Sequence, residues 1–179
     1  RALLLVGPSL VGKTALLHEW VYRRSQSRRA SYGGREKTFL ISPQRLISGM
    51  SYVGQWEQRW LAILTTAKKR RHILAFDDLL GMYSAGKSAS SNLSVADVLK
   101  PFVQRQDVRV VAEMSRSELR MLRERDRGFA DLFDILEIEP PTREEMPRIL
   151  IHAVRHLESR SNLRFLAESI PAVVELASR

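Results

Sequence analysis

Apolar residues come in short runs separated by helical spacings along this chain. Five runs read as strands, at about residues 3–6, 38–42, 72–77, 108–113 and 135–139, each short and rich in branched side chains. Between them the apolar positions recur at helical intervals. Leu16, Leu17, Trp20 and Val21 are expected on one side of a first helix, and Trp56, Trp60, Ile63, Leu64 and Ala67 form the stripe of a second. That spacing makes the two tryptophans core residues before it makes them ligand platforms. The alternation βαβαβαβαβ predicts an α/β fold whose mainly parallel sheet is covered on both faces.

The boundaries carry their own signals. Ser94 is placed to cap a helix through Val95, Val98, Leu99, Phe102 and Val103, which Pro101 should bend or shorten. The stretch before it, residues 81–92, holds two glycines and four serines and reads as a mobile polar loop. Pro140 and Pro141 close the last strand, and Thr142 with Glu145 forms a capping box for a new helix. That helix carries Met146, Ile149, Leu150, Ala153, Val154 and Leu157 on its apolar stripe, and a shorter one follows from about Pro171. Two units are therefore expected, an α/β domain over residues 1–141 and the start of a small helical one over 142–179.

Composition narrows the function classes only modestly. Twenty-nine Lys and Arg against twenty Asp and Glu give a formal charge of +9, compatible with nucleic acid, an acidic partner or simple solubility. The basic residues are interleaved along helices as solvated faces, and no aromatic-basic RNA-binding signature appears. Nucleic acid is thus possible but not favoured. The chain has no cysteine, which removes disulfide and thiolate chemistry. No apolar run reaches the roughly eighteen residues of a membrane span, and the chain opens on a strand without an export signal, so the cytoplasm is the default location.

Chemistry enters right after the first strand. Residues 7–14 read GPSLVGKT, a full G-x-x-x-x-G-K-[ST] phosphate-binding loop between a strand and a helix. Glycines let backbone N–H groups turn inward around phosphate oxygens, and the following helix adds its positive end. Gly7, Pro8, Ser9, Leu10, Val11, Gly12, Lys13, Thr14 and Ala15 are therefore the candidate cofactor-binding residues for ATP or ADP. Lys13 should reach the outer phosphates, and the Thr14 hydroxyl should ligate Mg2+. A second motif, ILAFDD over residues 73–78, ends a strand in two carboxylates at the sheet edge where ligands bind in open α/β folds. Asp77 is the candidate metal residue, and Asp78 the candidate that positions an attacking water.

With these motifs in place, the chain resembles the first AAA+ module of the Clp-type protein unfoldases and disaggregases. The resemblance is carried by GPSLVGKT, by LISGMSYVGQWEQRW over 46–60, by ILAFDD, by VADVLKPFV over 95–103 and by DILEIEPPTREEMPRIL over 134–150. It implies a P-loop NTPase core of the AAA+ type, with five parallel strands in the order 5-1-4-3-2 and the start of a helical lid. It also implies assembly into a homo-oligomeric ring, usually a hexamer, acting on a protein client. Tyr52 falls where the family has the pore-loop aromatic that grips substrate.

Three departures from the family pattern bear on turnover. The second motif ends in Asp77-Asp78 where the family has Asp-Glu, and one methylene less displaces a positioned water by about 1 Å, enough to cost on the order of a hundredfold in rate. The sensor position after the fourth strand falls on Met114 or Ser115; Ser115, with its hydroxyl, is the catalytic candidate. Where the family has an arginine pair before Phe133, this chain has Asp131 and Leu132, with Arg125 and Arg127 upstream at a different spacing. Such an arginine contributes a thousandfold or more to turnover in related systems. The resemblance therefore implies either a protein-remodelling ATPase or a nucleotide-gated scaffold with impaired hydrolysis. A nucleic-acid remodelling ATPase is a weaker alternative that rests on charge. Ile149, in the lid helix, has the position of a base contact or of a buried core residue.

Overall fold

A computed structural model describes residues 2–29, 36–50, 53–88 and 91–177. The elements run β1 (Ala2–Val6), α1 (Lys13–Arg29), β2 (Thr38–Ile41), α2 (Pro43–Ile47), α3 (Val53–Arg70), β3 (Ile73–Phe76), a 3-10 turn (Gly81–Tyr83), α4 (Val95–Gln104), β4 (Arg109–Met114), α5 (Arg116–Ala130), β5 (Phe133–Glu137), α6 (Met146–Arg160) and α7 (Ser169–Ala177). All strand pairings are parallel, and the sheet order is β2-β3-β4-β1-β5. Read from the other edge this is the expected 5-1-4-3-2.

The two sheet faces are unequally covered. Alternate residues of β1 divide between them: Ala2, Leu4 and Val6 join the large core, whereas Leu5 joins a smaller cluster. The large core takes Trp56, Trp60, Leu64 and Ala67 from α3, Val95, Leu99 and Val103 from α4, and Leu119, Leu122 and Phe129 from α5. These are the α3 stripe residues expected as core, with Ile63 packed beside them. The small cluster has only Leu17 and Val21 from α1. The first helix thus corrects its expected stripe: Leu16 and Trp20 are 44% and 38% exposed, because one helix meets the sheet along a single i, i+4 line. Both edge strands expose apolar residues, Leu40 in β2 and Leu136 in β5.

Local signals shape the rest. Ser94 caps α4 in a reciprocal box with Asp97. Pro101 lies inside α4, which still runs to Gln104. In the stretch expected as a mobile polar loop, Met82, Tyr83 and Ala85 are buried and turn its first half into the core, while residues 89 and 90 lie outside the described residues. Strand β5 begins at Phe133, which pairs with Ala2 ahead of the expected start. Thr142 and Glu145 do hydrogen-bond, by N–H and hydroxyl at 2.8 and 2.9 Å, but in a turn just before α6, which begins at Met146.

Contacts divide the chain into a unit Arg1–Ile138 and a unit Glu139–Arg179. The second unit holds α6 packed with α7. Among the described residues no helix is long and apolar enough to cross a membrane.

Candidate phosphate-binding site

The loop after β1 is held from both neighbouring strands. Gly7 N–H donates to the Met114 carbonyl at 3.2 Å, and Ile138 N–H donates to the Val6 carbonyl at 2.7 Å. A side chain at position 7 would put its Cβ 2.4 Å from the Ile138 carbonyl oxygen, so only glycine fits this close approach. The backbone then reverses through two left-handed residues, Leu10 (φ 65°) and Gly12 (φ 101°). Leu10 is fully exposed, and Pro8 and Ser9 are exposed beside it. The first turn of α1 leaves the N–H groups of Lys13, Thr14 and Ala15 without intrahelical acceptors, which is the donor set an anion uses. Lys13 lies back across the loop, its Nζ donating to the carbonyls of Gly7 (3.0 Å) and Pro8 (2.7 Å).

The strand ends beside the loop supply oxygen. Phe76 pairs with Ala112 in register, and Leu5 and Val6 pair with Glu113 and Met114. Asp77 and Glu113 therefore both follow the Phe76–Ala112 pair at the carboxyl edge of neighbouring strands. Thr14 donates its hydroxyl to Glu113 Oε2 at 2.7 Å. Sequence reasoning passed over Glu113, although a carboxylate within the apolar strand Val110-Val111-Ala112-Glu113-Met114 was the signal. Asp77 is exposed and also lines a cleft of about 360 Å³ with Ser42, Arg45 and Arg59. That cleft lies between β2, α2 and α3 and takes none of its lining from the phosphate loop.

The remaining candidates are already engaged in local structure. Asp78 accepts from Gly81 N–H at 2.7 Å through Oδ1 and from Gln44 Nε2 at 3.2 Å through Oδ2, which fixes the turn after β3. Ser115 caps α5, accepting from Glu118 N–H at 3.2 Å, with Ser117 Oγ 2.9 Å away. Met114 is buried. Asp131 ends α5 and pairs with Arg127 at 3.7 Å on the exposed surface, and Leu132 packs on the core. The Arg125 guanidinium stacks 4.8 Å over the Tyr83 ring. Tyr52 lies outside the described residues. Ile149 is 53% exposed and so is not the buried helix residue of one reading.

These donors suit a magnesium nucleotide. Thr14, Asp77 and Glu113 offer the hard oxygen ligands of Mg2+, which commonly uses one or two carboxylates and completes its shell with phosphates and water. Among the described residues no group of three or more His, Cys, Asp and Glu could hold a metal by itself.

No family model matches the chain. Individual proteins do. It is 27% identical over 177 residues to a ClpA homolog protein of Fuscovulum blasticum, covering 98% of this chain and 22% of that protein. It is 26% identical to the chloroplastic chaperone protein ClpD of Arabidopsis thaliana, over 98% of this chain and 19% of that one. The chaperone protein ClpB of Aquifex aeolicus is also 26% identical, with 98% and 17% coverage. The chain thus spans about a fifth of the length of the curated relatives it matches. Among solved structures, Hsp104 in a closed state with ATPγS and FITC casein superposes with a TM-score of 0.83 at 25% identity, covering 99% of this chain and 30% of that one. An extended Hsp104–casein complex from S. cerevisiae gives 0.80 at 23% identity, with 99% and 30% coverage. In fold this chain is an AAA+ P-loop NTPase module, and over nearly its whole length it resembles the modules of the Clp-type unfoldases and Hsp104.

Proposed function

We propose that this chain binds ATP or ADP with Mg2+ through the 7–14 loop and serves as an ATPase module of a larger, ring-forming protein that remodels other proteins. The strand-loop-helix geometry carries this reading. Gly7 and Gly12 permit the backbone path, the first-turn N–H groups of α1 are placed to take an anion, and Lys13 and Thr14 stand at the loop's end. In this reading Lys13 leaves the loop carbonyls for the outer phosphates, while Thr14 and Asp77 hold the cation. Bound magnesium neutralises phosphate charge. The similarity to Hsp104, solved with ATPγS and casein, supports a protein client, and the reading adds a hexameric ring with Tyr52 as the residue that grips that client. Residues 142–179 then belong to a helical lid. Sedimentation of the intact protein with and without MgATP tests the assembly, which nucleotide should promote. A strict monomer in both conditions would overturn it.

A second reading, a nucleotide-gated module that turns ATP over slowly, has its own support. Both oxygens of Asp78 are committed to Gly81 and Gln44, and Asp131 and Leu132 stand where the family has its arginine pair. Steady-state phosphate release separates the two. Slow release that is the same in Asp78→Ala supports the gated module, and rapid release lost in that variant supports the ATPase.

A further inference from the structure

We propose that Glu113 is an additional acidic residue of the nucleotide site and that it couples nucleotide affinity to magnesium. The inference rests on the nucleotide-binding reading of the 7–14 loop and deepens it. Strand β4 lies between β3 and β1, and Glu113, half-buried near its carboxyl end, has room for a polar partner. Glu113 finds one in the loop itself, accepting the Thr14 hydroxyl proton at 2.7 Å.

That bond has a consequence for metal binding. A threonine hydroxyl has one proton and two lone pairs, whereas an ionised carboxylate only accepts. With its proton held by Glu113, Thr14 keeps its lone pairs for a cation. A second effect has the same sign: the carboxylate is a fixed negative charge beside the hydroxyl that would ligate the metal. It attracts a divalent cation and repels an uncomplexed polyphosphate. Glu113 therefore favours the magnesium complex over free nucleotide. Asp78 instead turns its oxygens to Gly81 and Gln44.

The test is calorimetric titration of the intact protein with ATP, once in excess MgCl2 and once in EDTA. The readout is the ratio of the two dissociation constants. Wild type should show strong magnesium dependence, and Glu113→Gln, which removes charge but keeps an acceptor for Thr14, should reduce the ratio on the order of tenfold, the scale of one charge interacting with a nearby divalent ion in a wet site. Most of the change should be tighter binding in EDTA. Glu113→Ala should reduce the ratio at least as far, and thermal melts of both variants establish that they fold. An unchanged ratio in a folded Glu113→Gln protein that still binds ATP would overturn the role of Glu113 alone. Failure of wild type to bind ATP in either condition would overturn the phosphate-loop reading, and this inference with it.

Discussion

Trp60 and Trp56 lie one helical turn apart on α3, yet their indole nitrogens differ. Trp60 is fully buried, donates to the Val95 carbonyl at 3.1 Å and meets Phe76 edge-on at 6.2 Å. The Trp56 nitrogen is buried without a partner among the described residues. Both changes to Phe remove comparable ring area, but only one removes a hydrogen bond, and the other relieves an unsatisfied donor. Trp60→Phe should therefore cost about 1 kcal/mol more than Trp56→Phe in urea unfolding. Equal costs would contradict the assignment. Gly86 is the neighbouring constraint. Its φ of +91° disfavours any side chain, and an added Cβ would fall 2.6 Å from the Trp56 ring. Gly86→Ala should lose roughly 2 kcal/mol by the same measurement, from left-handed backbone and overpacking together.

Helix α5 shows how one side chain sets an element. Asp126 departs from helical geometry (φ −152°, ψ 81°) within it and accepts from Phe129 N–H at 2.9 Å, capping the last turn. Lys100 of α4 reaches both of its oxygens, at 2.8 and 2.7 Å. Burial alone would raise this carboxyl, but the Lys100 ammonium, the Phe129 N–H and the Tyr83 hydroxyl together hold it below its ordinary value of 3.8. A depressed carboxyl contributes stability above its unfolded value and loses it as pH falls through the folded one. Acid unfolding should therefore show a loss of stability below about pH 4 that Asp126→Asn removes. Asp126→Ala also loses the cap and should fall about 1 kcal/mol below Asp126→Asn at neutral pH. The kink was not legible in the sequence, because Arg125-Asp126-Arg127 reads as an ordinary polar helix face. The strands and the phosphate loop were legible because short apolar runs and the glycine spacing depend on local chemistry. Partners brought in by the fold decided the rest: Asp78 was drawn into a turn by Gly81 and Gln44, and Glu113 was drawn to Thr14 at the start of α1.

Across the whole molecule, the site lies at one end of the sheet, with its acids just after β3 and on β4 and its loop after β1. The other end of β3 carries a separate pH response. His72 is buried and accepts from Lys37 N–H at 3.1 Å. Burial, followed by the Arg70 and Lys37 charges, holds its pKa below the ordinary 6.5. Protonation thus favours the unfolded chain, so stability present above about pH 6.5 should decline as pH falls through the lowered folded value. Chemical unfolding from pH 7.5 to 5 should show that decline in wild type and a flatter profile in His72→Gln. Nucleotide binding is a matter for the opposite end, where every proposed role passes through the 7–14 loop. The direct measurement is the affinity for MgATP of the intact protein and of Lys13→Ala, by calorimetry under identical conditions. Binding in wild type that is lost in Lys13→Ala is the predicted result, and an unchanged affinity in the variant would contradict it.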